Sequence, residues 1–391
     1  MEKMLFTSES VSEGHPDKVA DLIADSILDR SLELDPHAHS ACEVFVSDEF
    51  VLIGGEVTNY KDIDAEGIAR SVLRKIGYLK REDGIGCDTC KVVNLLRGQS
   101  ADIAQGVDRG SLLETGAGDQ GFMFGYATTE SDGYMPLPLS IAHKLVRVAS
   151  NLRHEGKFPH ARPDMKSQVT VDYSDPSHPK IHTILMSVQT DEDISIPALK
   201  DFLYENVMIP VVDSFHLNHD FLCLVNPTGR FVIGGPAGDT GLTGRKLVVD
   251  TYGGSCRHGG GAFSGKDPTK VDRSAAYYAR YMAKNLVAAG AAERLEIQLA
   301  YAIGVAKPLS IGLTTYHTRH YEDEVILEAI EKFFDARPGA IIEQFNLQHP
   351  NFKYADTTNY GCFGRPDIDL PWERLDKVEQ LKEFFKGQKR I

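Results

Sequence analysis

His15, Pro16, Asp17 and Lys18 place an imidazole, a carboxylate and an ammonium group directly before a run with helical spacing. Apolar residues recur at intervals of three and four over 19–27, which predicts a helix with one core-facing side. Pro16 suits the first helical position because its missing N–H would have no partner there, so His15 is the predicted N-cap. Two interpretations stay open. Asp17 complements the helix dipole beside a solvated Lys18, or His15 and Lys18 face phosphate while Asp17 holds a divalent cation.

A second candidate site is the stretch "GGAFSGKD" at 260–267, which satisfies G-x-x-x-x-G-K but continues with Asp267. A P-loop needs Ser or Thr after the lysine to hold Mg²⁺, so this is not one. The glycine-rich turn still leads through a proline into a predicted helix. Lys266, Lys270 and Asp272 offer two cations for an anion and one carboxylate for a metal.

The hexapeptide "GAGDQG" at 116–121 matches G-x-G-x-x-G, but the following "FMFGYA" predicts a strand. A dinucleotide fingerprint opens a helix, so that function is excluded. Asp119 and Gln120 remain on a glycine hinge and could bind an ammonium group or an amide. The preceding residues 99–115 predict a mobile loop that could act as a lid, with a plain surface loop as the alternative.

Charged residues also stand among glycines and prolines at 229–246 and just before a predicted strand at 162–169. They are Arg230, Asp239, Arg245 and Lys246 in the first stretch and Asp164 and Lys166 in the second. Solvation explains any one of them. As a set in an acidic protein, they favour binding of a highly charged anion together with a metal.

Length, net charge and cysteine content limit the number of domains and the classes of partner that the protein can have. A length of 391 residues predicts two or three domains. The net charge of -14 argues against sequence-independent nucleic-acid binding, which needs excess Lys and Arg. No apolar run is long enough to span a bilayer and the N-terminus lacks signal-peptide features, so we expect no membrane partner and a cytoplasmic protein. Of six cysteines only Cys87 and Cys90 form C-x-x-C, which favours reduced thiols over a zinc site.

Three stretches, beginning at residues 51, 182 and 308, share one pattern of apolar strand, polar turn and amphipathic helix. Their spacing is that of domains and not of a short solenoid repeat. The pattern predicts three related α/β domains with sheets as packing layers, and chance similarity is the alternative.

Five motifs together resemble one family. They are "EGHPDK" at 13, "ACE" at 41, "GAGDQG" at 116, "GRFVIGGPAGDTGLTGRK" at 229 and "GGGAFSGKDPTKVDRSAAY" at 259. They closely resemble S-adenosylmethionine synthetase (methionine adenosyltransferase) of the bacterial type, over residues 6 to about 373. The resemblance implies an α/β (α+β) fold of three pseudo-symmetric, interleaved domains, each a β-sheet packed with helices, with approximate boundaries 1–125, 126–235 and 236–391. It also implies a homotetramer, a dimer of dimers, with active sites between subunits.

The implied reaction joins ATP and L-methionine. The methionine sulfur attacks C5′ of ATP and displaces triphosphate, which is then hydrolysed to pyrophosphate and phosphate. A thioether has no proton to lose, so no general base is needed, and catalysis should come from alignment and from charge stabilisation on the leaving group. This explains a chain with cations and carboxylates but no nucleophile, histidine and acid set.

Residue roles follow from the same resemblance. The implied catalytic residues are His15, Lys166, Arg245 and Lys266. The implied ATP contacts are His15, Asp164, Lys166, Arg230, Phe231, Arg245, Lys246, Ala262 and Lys266. The implied methionine contacts are Glu56, Gln99, Asp119, Asp239 and Lys270. Two Mg²⁺ ions per site would use Asp17 and Asp272, K⁺ would use Glu43, and residues 99–110 correspond to the family's mobile gate.

Two other functions remain as alternatives. A phosphotransferase would use the same cations on the γ-phosphate and would form ADP, but the failed P-loop and the absence of kinase signatures disfavour it. A nucleotide-binding regulatory subunit would keep the fold without activity. It would have no need of the cations that act on a leaving group.

Overall fold

The computed structural model of the chain describes residues 3–98 and 112–391. The strands are β1 Leu5–Val11, β2 Ser40–Ser47, β3 Phe50–Val57, β4 Lys91–Asn94, β5 Gly121–Thr128, β6 Ala161–Asp172, β7 Lys180–Thr190, β8 Leu222–Val225, β9 Gly241–Leu242, β10 Arg294–Tyr301 and β11 Ser310–Thr314. The helices are α1 Pro16–Leu34, α2 Ala65–Ile76, α3 Leu137–His154, α4 Ile196–Leu203, α5 Ile209–Asp213, α6 Leu247–Asp250, α7 Val271–Ala288, α8 Asp323–Phe333, α9 Pro338–Phe345, α10 Tyr354–Thr357 and α11 Val378–Lys386.

The described strands form three sheets, each packed with helices, which confirms the predicted fold class. The orders are β4-β3-β2-β9 in the N-terminal sheet, β1-β6-β7-β8 in the central sheet and β11-β10-β5 in the C-terminal sheet. Neighbours along the chain are exchanged between sheets. β1 pairs with β6, β5 pairs with β10, and β9 returns to pair with β2. This exchange brings segments that are far apart in sequence to the same place.

The strand, turn and helix units predicted from residues 51, 182 and 308 are all present. They are β3 with α2, β7 with α4, and β11 with α8. In the first two units the helix crosses over to a parallel neighbour, so that β4 runs parallel to β3 and β8 runs parallel to β7. A parallel pair requires such a crossover. Asp64 and Ser195 cap these helices by accepting backbone N–H groups.

Helix α1 begins at Pro16 with His15 as its N-cap, as predicted. Its most distinctive feature is a row of four aspartates at every fourth position, so that they share one side of the helix. We call Asp17, Asp21, Asp25 and Asp29 the aspartate row. Each accepts backbone N–H groups from another segment: from Leu242, from Gly244, from Gly265, and from Tyr354 and Ala355 in turn. The row therefore fixes loops from the C-terminal half of the chain against α1.

Other local predictions have mixed outcomes. The stretch after "GAGDQG" is strand β5, and the helix after Pro268 is α7, as expected. Asp164 and Lys166 were expected before a strand and instead lie inside β6, because β6 extends to Ala161 through an irregular register with β7. All six cysteines are free in the structure. No helix in the described ranges has the length and apolar character needed to cross a membrane.

Gly125 on β5 lets helix α7 lie close to the C-terminal sheet, and its replacement tests this packing. A Cβ added at Gly125 would lie 2.0 Å from the backbone carbon of Ala279. We expect Gly125→Ala to lower the free energy of unfolding by about 1–3 kcal/mol, as overpacking does. Gly54→Ala is the control, because a Cβ there meets no atom within 4 Å. Equal unfolding free energies for the two variants, measured with urea, would contradict the packing account.

Candidate functional site

The structure brings the sequence-predicted residues into two main groups. The first, the α1 group, lies around the start of α1 and contains His15, Asp17, Asp164, Lys166, Asp239, Arg245 and Lys246. The second, the α7 group, lies around the start of α7 and contains Glu43, Glu56, Asp119, Ala262, Lys266, Lys270 and Asp272.

His15 is held by the N-terminus of the helix it caps. Its Nδ1 accepts the backbone N–H of Asp17 at 3.1 Å, and the residue is 4% exposed. In a neutral ring whose Nδ1 accepts, the proton is on Nε2, which is therefore a donor. Burial first, and then the nearby Lys246 and Lys166 ammonium groups, lower the pKa of His15 to about 3. His15 is thus a neutral hydrogen-bond donor at physiological pH.

Asp17 lies beside His15 and is 2% exposed. Its Oδ1 accepts the backbone N–H of Leu242 at 3.0 Å, and its Oδ2 accepts the Lys246 ammonium at 2.6 Å. The Arg245 guanidinium lies 3.6 Å from Oδ1. Burial alone raises the pKa of Asp17, but the hydrogen bonds from Lys246 and Leu242 outweigh it and hold the pKa below its ordinary value. Asp17 is therefore an ionised carboxylate that orients two cations.

Strand β6 adds two groups of opposite charge. Asp164 is 4% exposed, and its Oδ2 accepts the backbone N–H of Gly235 at 2.9 Å. Its Oδ1 is buried and has no hydrogen-bond partner among the described residues. Burial raises the pKa of Asp164 to about 6. Lys166 is exposed, and its side-chain ammonium makes no hydrogen bond or ion pair within the described ranges. An unsatisfied buried oxygen and a free ammonium near each other mark a place for a polar ligand.

The loop after β8 carries further predicted residues. The backbone N–H of Asp239 bonds to the carbonyl of Gly235, so Asp239 stands on the turn that contacts Asp164. Before this turn, Arg230 pairs with Glu192, and the carbonyl of Phe231 accepts the backbone N–H of Thr190 at 2.9 Å. Arg230 and Phe231 therefore lie against the end of β7.

The α7 group is built on the glycine-rich turn and the first turn of the helix. Lys266 donates to Asp272 Oδ2 at 2.6 Å. A Cβ at Gly261 would lie 2.2 Å from Asp272, so only glycine permits this approach. Lys270, the N-cap residue, pairs with the buried Asp267. The two lysines predicted to meet anions are thus both neutralised by carboxylates in this structure.

Backbone contacts draw the rest of the α7 group together. Ala41 on β2 is paired with Glu56 on β3 and bridged to Lys266. Glu43 is exposed, and its side-chain carboxylate has no hydrogen-bond partner in the described part of the chain. Glu56 accepts the Arg97 guanidinium at 2.7 Å.

Asp119 and Ala262 approach the α7 group from two other loops. Gly118, next to Asp119, lies close enough to Thr269 that an added Cβ would be 3.2 Å from its carbonyl oxygen. Ala262 is in contact with Gly244, beside the α1 group. Ala262 therefore stands between the two groups. Gln99 and the predicted gate 99–110 lie outside the described residues.

Lys18, unlike His15 and Asp17 of the opening quartet, lies away from the α1 group's cations. It is 1% exposed, and its ammonium donates to Asp21 at 3.1 Å and to Asp250. The expectation that Lys18 meets phosphate is therefore wrong, and so is the solvated alternative. The spacing of the aspartate row is a sequence signal that could have identified Asp21 as a buried partner of Lys18. No local pattern could have identified Asp250.

The fold and the grouped cations and carboxylates are typical of an enzyme that binds a polyphosphate. Models of the N-terminal, central and C-terminal domains of S-adenosylmethionine synthetase match residues 3–101, 114–231 and 233–374. The chain belongs to the S-adenosylmethionine synthetase family. It is accordingly a methionine adenosyltransferase, which forms S-adenosylmethionine from ATP and methionine.

Curated relatives agree along nearly the whole chain. An S-adenosylmethionine synthase of Mesoplasma florum is 56% identical over 384 residues, covering 97% of this chain and 100% of the relative. One of Mycoplasma capricolum is 54% identical, covering 99% and 98%. One of Clostridium botulinum is 52% identical, covering 98% and 100%. The similarity therefore extends over nearly the whole chain.

The environment of His15 predicts its titration. With a pKa of about 3 in the folded chain against 6.5 for an ordinary histidine, the His15 ring should not titrate between pH 8 and pH 5. Its NMR signals, assigned by their loss in His15→Gln, measure this. Because only the unfolded state takes up the proton in this range, the His15 contribution to stability should fall as pH drops from 6.5 towards 3. A His15 midpoint near 6.5 would contradict the assignment of a buried neutral ring.

Proposed function

We propose that the methionine sulfur attacks C5′ of ATP and displaces the whole triphosphate, which the same site hydrolyses to pyrophosphate and phosphate. The new bond joins sulfur to C5′, the bond that breaks joins C5′ to the α-phosphate oxygen, and its electron pair leaves with triphosphate. The sulfur brings no proton that must be removed. This chemistry asks the protein to position the two substrates and to stabilise negative charge.

The observation that carries the proposal is the composition of the α1 group. A neutral His15 with a donor Nε2–H, the free Lys166 ammonium and the cations of Arg245 and Lys246 converge where α1 begins. Donors of this kind stabilise an oxygen that gains charge during reaction. His15 would donate to the oxygen that leaves C5′, and Lys166, Arg245 and Lys246 would bind the phosphate oxygens.

Asp164 would hold the nucleoside end of ATP. Its Oδ1 is buried without a partner among the described residues, while Oδ2 is fixed by Gly235. A carboxylate oxygen in that state accepts a hydroxyl or amino hydrogen well. Arg230 and Phe231 would flank the base, with Phe231 offering an aromatic face to adenine.

Three carboxylates of the two groups have the oxygen ligands that Mg²⁺ and K⁺ prefer. Asp17 and Asp272 would hold Mg²⁺, because each is a carboxylate that already faces a cation, the ammonium of Lys246 or of Lys266, at 2.6 Å. Bound Mg²⁺ would supply charge neutralisation of the triphosphate. Lys246 and Lys266 would then turn to phosphate oxygens. Glu43, exposed and unpaired within the described ranges, would offer its oxygens to K⁺.

Methionine would bind at the α7 group, where carboxylates and a lysine stand near each other. Asp119 and Glu56 of this group, together with Asp239 of the α1 group, would meet the ammonium of methionine, and Lys270 would meet its carboxylate. Lys270 is held by Asp267 at the N-terminus of α7, which places a second positive element behind the ligand's carboxylate.

A second copy of the chain would complete each site in a dimer of dimers. Support comes from an apolar surface next to Asp119. Phe122, Ile303 and Leu309 are 48%, 61% and 65% exposed. Their backbone segments lie near one another, because Phe122 pairs with Ala300, whose carbonyl accepts the N–H of Leu309, and Ile303 bridges to Ala117. Exposed apolar surface of this kind marks a protein interface.

Product analysis tests the proposed reaction. The protein is incubated with ATP, methionine, Mg²⁺ and K⁺, with a control lacking methionine, and the products are identified by mass spectrometry. We expect S-adenosylmethionine together with pyrophosphate and phosphate. ADP as the product would instead indicate the phosphotransferase, and no product with ATP bound would indicate a binding subunit.

Two lysine variants, measured in the same product assay, test the role of Lys166. Lys166→Met should lower S-adenosylmethionine formation on the order of 100-fold, as loss of one charge-stabilising donor does. Lys91→Met, exposed on β4, should leave it unchanged. Equal rates for the two variants would remove Lys166 from the site.

A further inference from the structure

We propose that Lys18 and Asp21 are positioning residues, which set Arg245 and Lys246 in place from beneath the site. The inference rests on the proposed function, because it takes Arg245 and Lys246 as the groups that bind triphosphate. Neither Lys18 nor Asp21 is placed to touch substrate: they are 1% and 0% exposed. They act through the loop that carries the two cations.

Asp21 holds the start of that loop. Its Oδ1 accepts the backbone N–H of Gly244 at 2.8 Å, and its Oδ2 accepts the Lys18 ammonium at 3.1 Å. Gly244 has a φ of +77°, a conformation that side chains rarely adopt. The residue directly before Arg245 is thus fixed in an unusual conformation by a buried charged acceptor.

Asp250 holds the other end. The Lys18 ammonium donates to Asp250 Oδ1, and the backbone N–H of Asp250 donates to the carbonyl of Lys246 at 2.9 Å. Asp250 closes the short helix α6 that follows Lys246, and its own carbonyl accepts the N–H of Cys362. One buried ammonium therefore ties both ends of the segment 244–250 to α1.

The same tie sets the contact between the start of α1 and the segment 244–250. Asp17 lies one turn before Asp21 on α1, and it receives Lys246 at 2.6 Å. With Gly244 and Asp250 fixed, Arg245 and Lys246 lie beside Asp17, on the face of α1 where the helix begins. Burial by itself lowers the pKa of Lys18, but Asp21 and Asp250 outweigh it and raise the pKa above its ordinary value, so Lys18 keeps its charge.

Asp29, in the same aspartate row, provides a control for Asp21. Asp29 also accepts backbone N–H groups, from Tyr354 at 2.8 Å and from Ala355 at 2.9 Å. It lies eight residues from Asp21, about 12 Å along the helix. The segment it holds carries none of the proposed site residues. Asp21→Ala and Asp29→Ala each remove a carboxylate that accepts backbone N–H groups, and only Asp21→Ala also removes a partner of Lys18 and loosens the segment 244–250.

The experiment compares kcat, the KM for methionine and the melting temperature of the two variants and of Asp21→Asn. Asp21→Ala should lower kcat on the order of 10- to 100-fold, the cost of misplaced catalytic groups, with the KM for methionine unchanged. It should also slow hydrolysis of inorganic triphosphate supplied alone. Asp21→Asn, whose amide oxygen still accepts the Gly244 N–H, should lose less. Asp29→Ala should melt earlier with kcat near that of the parent.

The outcomes separate the two proposals. If Asp21→Ala keeps the parent kcat, or if Asp29→Ala loses as much kcat as Asp21→Ala, the positioning role is overturned. If Asp21→Ala does not fold, Asp21→Asn decides: parent kcat and triphosphate hydrolysis in a folded Asp21→Asn whose melting temperature has dropped would reduce the role to stability. If the parent protein itself forms no S-adenosylmethionine, the proposed function fails, independently of any comparison between variants.

Discussion

Hydrogen bonds from loop backbones to the buried aspartates of α1 are the interaction on which the rest of the structure depends. The glycine-rich loops at 234–246 and 259–267 have few side chains with which to hold themselves, and their N–H groups need acceptors once water is excluded. The aspartate row supplies those acceptors at one-turn intervals. Helix α1 therefore holds both site-forming loops in position.

Two buried cations of this scaffold are held by buried carboxylates: Lys18 by Asp21 and Asp250, and Arg273 by Asp25. Arg273 makes two hydrogen bonds to Asp25, at 2.7 and 3.0 Å, and Arg273 and Asp25 also contact the loop that carries Lys266, through the carbonyl of Lys266 and the N–H of Gly265. Removing one partner of such a pair leaves an uncompensated buried charge, which costs about 3–5 kcal/mol. The pairs thus keep the loops in one arrangement, and they explain how so acidic a chain can present a local cluster of cations.

Lysines nearer the surface of the site are also paired with carboxylates. Lys246 and Lys266 are held by Asp17 and Asp272, while Lys166 has no partner among the described residues. A lysine that is already oriented by a carboxylate loses less side-chain entropy when it turns to a phosphate. The carboxylates released in that exchange are suited to Mg²⁺. A site of paired lysines and carboxylates therefore suits a phosphate substrate that binds together with its metal ion.

Much of this was predictable from local sequence patterns, and the remainder depends on long-range pairing. The N-cap at His15, strand β5 and the three strand-turn-helix units follow from spacing and turn residues within about 30 residues. The burial of Lys18 does not, because Asp250 is 232 residues away and reaches α1 only through the exchange of strands between sheets. Asp164 was predicted outside β6 because a register irregularity has no signal in one strand alone. The grouping of site residues required the three-dimensional fold.

The most direct test of the central claim is to ask which bond of ATP breaks. ATP is labelled with ¹⁸O at the oxygen that joins C5′ to the α-phosphorus, and the reaction with methionine is analysed by mass spectrometry. The account predicts that all of the label leaves with the inorganic products and that S-adenosylmethionine carries none, because the C5′–O bond is cleaved. Label retained on the nucleoside product would mean cleavage at phosphorus and would contradict the account.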